Sequence, residues 1–256
     1  QFELHDDRGA LREVWELAAG EARASGRSPV LVAGITGDVG QAVAEAERAV
    51  ELGYEAALLS PWGMAERTEA TLLARAAAVG EVIPTIGFYL QDSVGGLRLS
   101  RSYWRSLFDL ESVVAVKTAP FDRYRTGDVV QTLLAHDRWR DVVVLTGNDD
   151  AIVHDLLTPY RATVDGEERE VRATGGLLGQ WAVGTRAAVE LVSAAGAAVA
   201  SSSVPLDLMV QASALVEVNA AVFDVDHDFA GCVPGVNEVL RQQGLVDGVV
   251  ALTRSL

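Results

Sequence analysis

A single lysine, Lys117, stands among twenty arginines in this 256-residue chain. Arginine holds its proton at any working pH, whereas a desolvated lysine sheds one and becomes a nucleophilic amine. A chain rich in Ala, Val and Gly that writes nearly every base as Arg fits a GC-rich coding bias, which sharpens the question of why one lysine remains. Lys117 closes the apolar run Val113-Val114-Ala115-Val116. Its amine is therefore expected beside a dry strand end, where burial lowers its pKa and frees it to attack a carbonyl carbon. The alternative is a lysine held by an acid, with Asp149 as the partner. Tyr89 ends the apolar run before that of Lys117. A phenol in that position would relay a proton to a forming carbinolamine; the alternative is an aromatic that simply packs on its neighbours.

Residues of this kind need rigid elements to hold them. Six short apolar runs recur along the chain: Pro29–Gly34, Ala56–Ser60, Pro84–Tyr89, Val113–Lys117, Val142–Thr146 and Val171–Gly175. They are continuous rather than alternating, as parallel strands covered on both faces are. Their spacing of about 25 to 30 residues suits a repeated βα unit. Amphipathic helices are expected between them over Gln41–Leu52, Arg67–Val79, Ser100–Leu110, Thr126–His136 and Asp150–Leu157, with Thr185–Ala195 after the last run. One helix, Arg8–Ala24, precedes the first strand, and Val204–Phe223 and Val233–Gln243 follow the last unit. A closed parallel barrel needs eight strands. The expectation is a (β/α)8 TIM barrel represented by its strands three to eight over residues 1–200, with a C-terminal helical extension over 201–256. An open doubly wound sheet is the alternative that six strands could complete unaided.

Other classes are excluded or disfavoured. An apolar fraction of 49% rules out intrinsic disorder, and one cysteine, Cys232, rules out a disulfide scaffold. A net charge of −15 repels phosphate backbones, so no nucleic-acid partner is expected. The longest apolar runs stop short of a membrane span, and the single cysteine suits a reducing cytoplasm. Gly34-Ile35-Thr36-Gly37-Asp38-Val39-Gly40 lacks the dinucleotide-binding spacing. Asp224-Val225-Asp226-His227-Asp228 begins like a calcium loop, but Phe229 and Gly235 occupy the positions that need glycine and glutamate. His5, His136, His154 and His227 show no metal-ligand spacing, so no metal or cofactor is expected.

The strand C-termini gather small, polar and aromatic residues, which is where α/β proteins place their sites. Three of these segments, in order, carry a likeness. Ile83-Pro84-Thr85-Ile86-Gly87-Phe88-Tyr89, then Val114-Ala115-Val116-Lys117, then Leu145-Thr146-Gly147-Asn148-Asp149 resemble the dihydrodipicolinate synthase / N-acetylneuraminate lyase family. That family carries a strand-five tyrosine, a strand-six lysine 28 residues later and a Ser-Gly-Asp-Asp turn after strand seven. The resemblance implies that Lys117 forms a Schiff base with a small 2-oxo acid and that Tyr89 relays protons. It further implies that Gln1-Phe2-Glu3 ends a strand whose threonines hold the substrate carboxylate, and that the protein is a homodimer or homotetramer. Trp62, Gln91, Asn148, Asp149 and Gly176 would shape the pocket.

The departures from that family define what differs. Trp62 is followed by Gly63 rather than a second aromatic, Val94 stands where a carboxylate-binding arginine is expected, Leu90 follows the tyrosine and Thr118 follows the lysine. The expected activity is thus a Schiff-base aldolase or lyase with a substrate pocket unlike that of true dihydrodipicolinate synthases. Its rival is a non-catalytic barrel that binds a metabolite as a sensor or scaffold.

Overall fold

The computed structural model describes residues 10–249. Helix α1 (Leu11–Ala24) leads into five strand–helix units: β1 (Val32–Ile35) and α2 (Val39–Glu51), β2 (Ala56–Leu59) and α3 (Glu69–Gly80), β3 (Thr85–Leu90) and α4 (Arg101–Phe108), β4 (Val113–Ala119) and α5 (Arg123–Leu134), β5 (Val143–Thr146) and α6 (Ile152–Leu157). A hairpin of β6 (Tyr160–Val164) and β7 (Glu167–Val171) follows. Then come β8 (Ala173–Gly176), α7 (Thr185–Ala200), α8 (Leu206–Phe223) and α9 (Cys232–Gln242).

Six strands form one parallel sheet in the order β1-β2-β3-β4-β5-β8. That order decides between the two architectures the repeat allowed. A doubly wound sheet reverses its strand order at a switch point. Here each strand pairs with the next without reversal, so right-handed crossovers keep the helices on one face and curl the sheet toward a barrel. The fold is therefore barrel-type, six staves of it, and β1 and β8 are edges among the described residues. Gln1-Phe2-Glu3 lies outside the described residues.

The two faces of the sheet are packed differently. Trp104, Phe108, Leu107, Val116, Val79 and Leu72 belong to a large core between the strands and the helices. A smaller cluster of Ala56, Ile86 and Ala115, flanked by Val32, Leu58 and Leu145, lines the concave inner face. The helices start at the C-terminal ends of the strands through local caps. Thr68 accepts from Thr71 N–H, Ser100 from Tyr103 N–H and Asp122 from Tyr124 and Arg125 N–H. Each cap satisfies backbone donors that a helix start leaves unpaired, which fixes the loops at the mouth.

Two features of the second half differ from the sequence reading. The stretch between the helix expected over Asp150–Leu157 and the strand expected over Val171–Gly175, to which the sequence pattern assigns no element, forms most of the antiparallel β6–β7 hairpin. Asp165 and Gly166 form its turn with positive φ (51° and 84°), and this Asp-Gly pair is the signal that sequence reasoning passed over. Arg169 of the hairpin is buried and donates to the Leu134 and His136 carbonyls, closing the end of α5. Helix α8 is long and apolar enough to cross a membrane by length and composition, with a mean hydropathy of 1.4. One side of it, through Leu208 and Ala212, shares a core with Ile152 and Leu156 of α6 and Leu191 and Ala195 of α7.

Candidate active site

Side chains alternate along a strand, so the residue pairs that share a face follow from register. The β3–β4 pairing begins with Thr85 opposite Val113, but then sets Ile86 opposite Ala115 and Phe88 opposite Lys117. Val114 is the extra residue of a bulge. The bulge changes the offset between the strands from 28 to 29 residues. Lys117 consequently lies beside Phe88, with Nζ 4.3 Å from the centre of its ring. Both project inward above Ile86 and Ala115.

The same shift turns Tyr89 outward. Its ring packs against Trp104 of α4 at 5.1 Å, it is almost wholly buried in the helix-side core, and its hydroxyl accepts from Leu99 N–H at 3.4 Å. Gly87, two residues earlier on the same face, likewise faces the helices, where an added Cβ would meet Leu107, Val116 and Trp104. The expected Tyr89–Lys117 partnership is thus corrected: the phenol and the amine occupy opposite faces of the sheet. The 28-residue spacing would have aligned them only across an unbroken register.

Lys117 itself fits its expected place. It is half-buried, and among the described residues it makes no ion pair or hydrogen bond. The loop after β5 closes over it. A Cβ on Gly147 would come within 2.5 Å of Lys117 Cε and 2.8 Å of Ala119 Cβ, so only glycine leaves room for the lysine stem. Desolvation lowers the Lys117 pKa to about 8, opposed by the negative charge of Asp149. Burial in turn pushes Asp149 up to about 6, opposed by Lys117 and by the Gln180 backbone N–H. Asp149 Oδ1 is buried with no hydrogen-bond partner among the described residues. The backbone of Asp149 is fixed instead, its carbonyl accepting from Asn219 Nδ2 of α8 at 2.7 Å.

The remaining expected residues are held in different ways. Asn148 is buried and fully engaged with the protein. Its Oδ1 accepts from Phe121 N–H at 3.0 Å, and its Nδ2 donates to Asp155 at 2.9 Å and Thr126 at 3.3 Å. It ties the β4 and β5 loops together and spends both amide hydrogens on Thr126 and Asp155. Gln91 sits in the loop after β3, where its Oε1 accepts from Ser93 Oγ at 2.8 Å. Trp62 follows β2, and its carbonyl accepts from Gly37 N–H at 2.9 Å, linking the first two mouth loops. Gly176 ends β8, where a Cβ would fall 2.8 Å from the Thr146 carbonyl oxygen and 3.0 Å from the Trp181 ring.

Sequence reasoning missed three contributors. Phe88 lies under the amine, and no spacing argument could find it without the bulge. Asn219 reaches Asp149 across 70 residues from a helix assigned to the extension. Cys232, at the start of α9, is close enough to Asp149 for the carboxylate to help raise its pKa to about 11, after burial as the larger cause. That thiol stays protonated and is no nucleophile. Phe229, just before α9, meets Phe121 of the β4 loop at 5.7 Å between ring centres. The tail thus folds against the mouth. Among the described residues no three His, Cys, Asp or Glu side chains converge as metal ligands would.

No protein-family model and no curated protein sequence matches the chain. Solved structures do match. The dihydrodipicolinate synthase of Oceanobacillus iheyensis superposes with a TM-score of 0.69 at 18% identity, over 95% of this chain and 72% of that one. The dihydrodipicolinate synthase of Bacteroides thetaiotaomicron gives 0.72 at 13% identity, over 94% and 73%. The N-acetylneuraminate lyase of Fusobacterium nucleatum, solved with pyruvate, gives 0.66 at 16% identity, over 93% and 70%. At these identities the likeness establishes the fold: this chain is built as those barrels are.

Proposed function

We propose that this chain is a divergent member of the dihydrodipicolinate synthase / N-acetylneuraminate lyase family, a class I aldolase or lyase that forms a Schiff base between Lys117 and a small 2-oxo acid. The observation that carries the reading is the state of the lysine: the chain's only primary side-chain amine sits in the mouth of the barrel, unpaired among the described residues, with its pKa lowered to about 8. At pH 7 about one amine in ten is then neutral, against about one in 3,000 at the ordinary lysine value. The amine attacks the ketone, loss of water gives an iminium, and that iminium accepts the electron pair of a neighbouring C–C bond as it breaks or forms. The protein's own nitrogen serves as the electron sink, so the reaction needs no metal or organic cofactor. The pocket differs from that of the synthases through Phe88, Leu90, Val94 and the Trp62–Gly63 pair. Exposed Leu206 and Val210 on α8 support assembly into a homodimer or homotetramer, and the single thiol supports a cytoplasmic setting.

Borohydride reduction in the presence of pyruvate and a panel of other 2-oxo acids tests the reading. The expected result is a stable adduct that peptide mass mapping assigns to Lys117. Its rate of formation should rise tenfold per pH unit below about 8 and level off above, because only the neutral amine attacks. No adduct with any member of the panel refutes the proposal.

A second reading is favoured by one observation: a phenyl ring, not a phenol, lies beside the amine. A barrel that binds a 2-oxo acid without turning it over would serve as a metabolite sensor. Ligand at 100 times its Kd would then stabilise the fold by about 2.7 kcal/mol with no product formed.

A further inference from the structure

Schiff-base chemistry moves protons at every step, and the inward surface around Lys117 offers few groups to carry them. Phe88 has no hydroxyl, and the Tyr89 hydroxyl is buried on the far side of the sheet. Asn148 is consumed by Phe121, Thr126 and Asp155. Asp149 differs from all of these, since its Oδ1 is buried and lacks any hydrogen-bond partner among the described residues, and the residue belongs to the loop that closes over the lysine stem. A buried carboxylate oxygen left unpaired costs stability, and such groups persist where something else uses them.

We propose that Asp149 is the acid–base residue for Lys117, replacing the phenol with a carboxyl group reached from the neighbouring strand. The inference rests on the Schiff-base reading above. Protonated Asp149 gives its proton to the ketone oxygen as the Lys117 nitrogen lone pair bonds to C2. The resulting carboxylate takes the surplus proton from that nitrogen, leaving a neutral carbinolamine. Asp149, protonated again, then protonates the hydroxyl, which departs as water while the nitrogen lone pair forms the C=N bond of the iminium. Finally the carboxylate removes a proton from C3, and the C3–H electron pair becomes the C2=C3 bond of the enamine as the C=N π pair returns to nitrogen.

The arrangement serves both halves of that cycle. Burial raises the Asp149 pKa to about 6, near enough to neutrality for a single carboxyl to act as acid and as base. Burial against the charged form is opposed by Lys117 of β4 and the Gln180 N–H, which stabilise the carboxylate, and reinforced by the neighbouring charge of Asp150. The Asn219 hydrogen bond to the Asp149 carbonyl and the Gln180 N–H bond to its carboxylate orient it without neutralising it.

Exchange of the pyruvate C3 protons in D2O, followed by proton NMR, reads the last step directly. Saturating pyruvate holds Lys117 as the Schiff base, whose nitrogen is protonated on the acid side of the profile, so the acid limb reports the base. Wild type is expected to show an acid limb with a midpoint near pH 6. Asp149→Asn should lose about 100-fold in exchange rate, lose the acid limb, and yield the borohydride adduct on Lys117 more slowly than wild type but on long incubation, which also shows that it folds. Adding Phe88→Tyr to Asp149→Asn should restore part of the exchange by placing a phenol beside the amine. Wild-type exchange that is flat from pH 5 to 7, or Asp149→Asn exchange at the wild-type rate, overturns the role of Asp149 alone. Absence of any Lys117 adduct in the wild type overturns the Schiff-base reading and this inference with it.

Discussion

Two of the aspartates that follow β5, Asp149 and Asp155, live in opposite conditions. Asp155 is buried with every demand met: Arg123 pairs with one oxygen, and Thr146 Oγ1 at 2.6 Å and Asn148 Nδ2 at 2.9 Å donate to the other. Asp149 is partly buried with one oxygen orphaned, its pKa raised, and a lysine near enough to shift it but not to pair with it. A satisfied carboxylate braces a structure. A starved one beside a starved amine stores a difference in protonation that chemistry can draw on. The contrast separates the residues that build this mouth (Thr146, Asn148, Asp155, Arg123) from those that would work in it.

The largest test of that division falls on the amine. Lys117→Arg keeps the positive charge but supplies no neutral nitrogen, so adduct formation should vanish altogether while the fold survives. Mass spectrometry after borohydride treatment reads the first, and circular dichroism the second. A variant that still traps pyruvate would place the nucleophile elsewhere.

Gly147→Ala comes next. Its methyl group would enter the space of Lys117 Cε, and displacing a reacting atom by about 1 Å costs about 100-fold in rate. Trapping kinetics at fixed pyruvate measure the loss, and an unchanged rate would mean that the lysine stem can be rerouted at no cost.

The two aspartates themselves should diverge in urea denaturation. Asp155→Ala leaves the Thr146 hydroxyl and Asn148 amide without their acceptor and frees the half-exposed Arg123, at a cost of about 2–3 kcal/mol. Asp149→Asn should stay within about 1 kcal/mol of wild type or exceed it, because it removes a charge that the fold does not satisfy. Equal losses would erase the distinction.

Tyr89→Phe carries the smallest effect. It removes one long hydrogen bond to Leu99 N–H, worth about 1 kcal/mol, and should leave the trapping rate at Lys117 untouched. A collapse in trapping would return the phenol to the active face and contradict the register of β3 against β4.

Much of this was legible from the chain alone. Continuous apolar runs can be satisfied only by strands covered on both sides, so the six parallel strands and their helices followed from pattern. Asp165–Gly166 was legible too, and the hairpin it turns was missed because its strands are rich in charge: Arg161, Glu167, Glu168, Arg169 and Glu170 conceal the apolar signal of Tyr160, Ala162 and Val171. Lys117 could be singled out because a lone lysine at the end of a dry strand needs no three-dimensional information to be conspicuous. Its partners could not. Whether Tyr89 or Phe88 stands beside it depends on one extra residue, Val114, in one strand of a pair. Side-chain direction has a period of two, so a one-residue shift sends the neighbour to the other face. Asn219 and Cys232 meet Asp149 only because α8 and α9 fold back over the mouth. Composition and periodicity along the chain therefore determined the elements and singled out the lysine, since both are local properties. Register and long-range packing decided the company that lysine keeps, since those are settled only when distant segments come together.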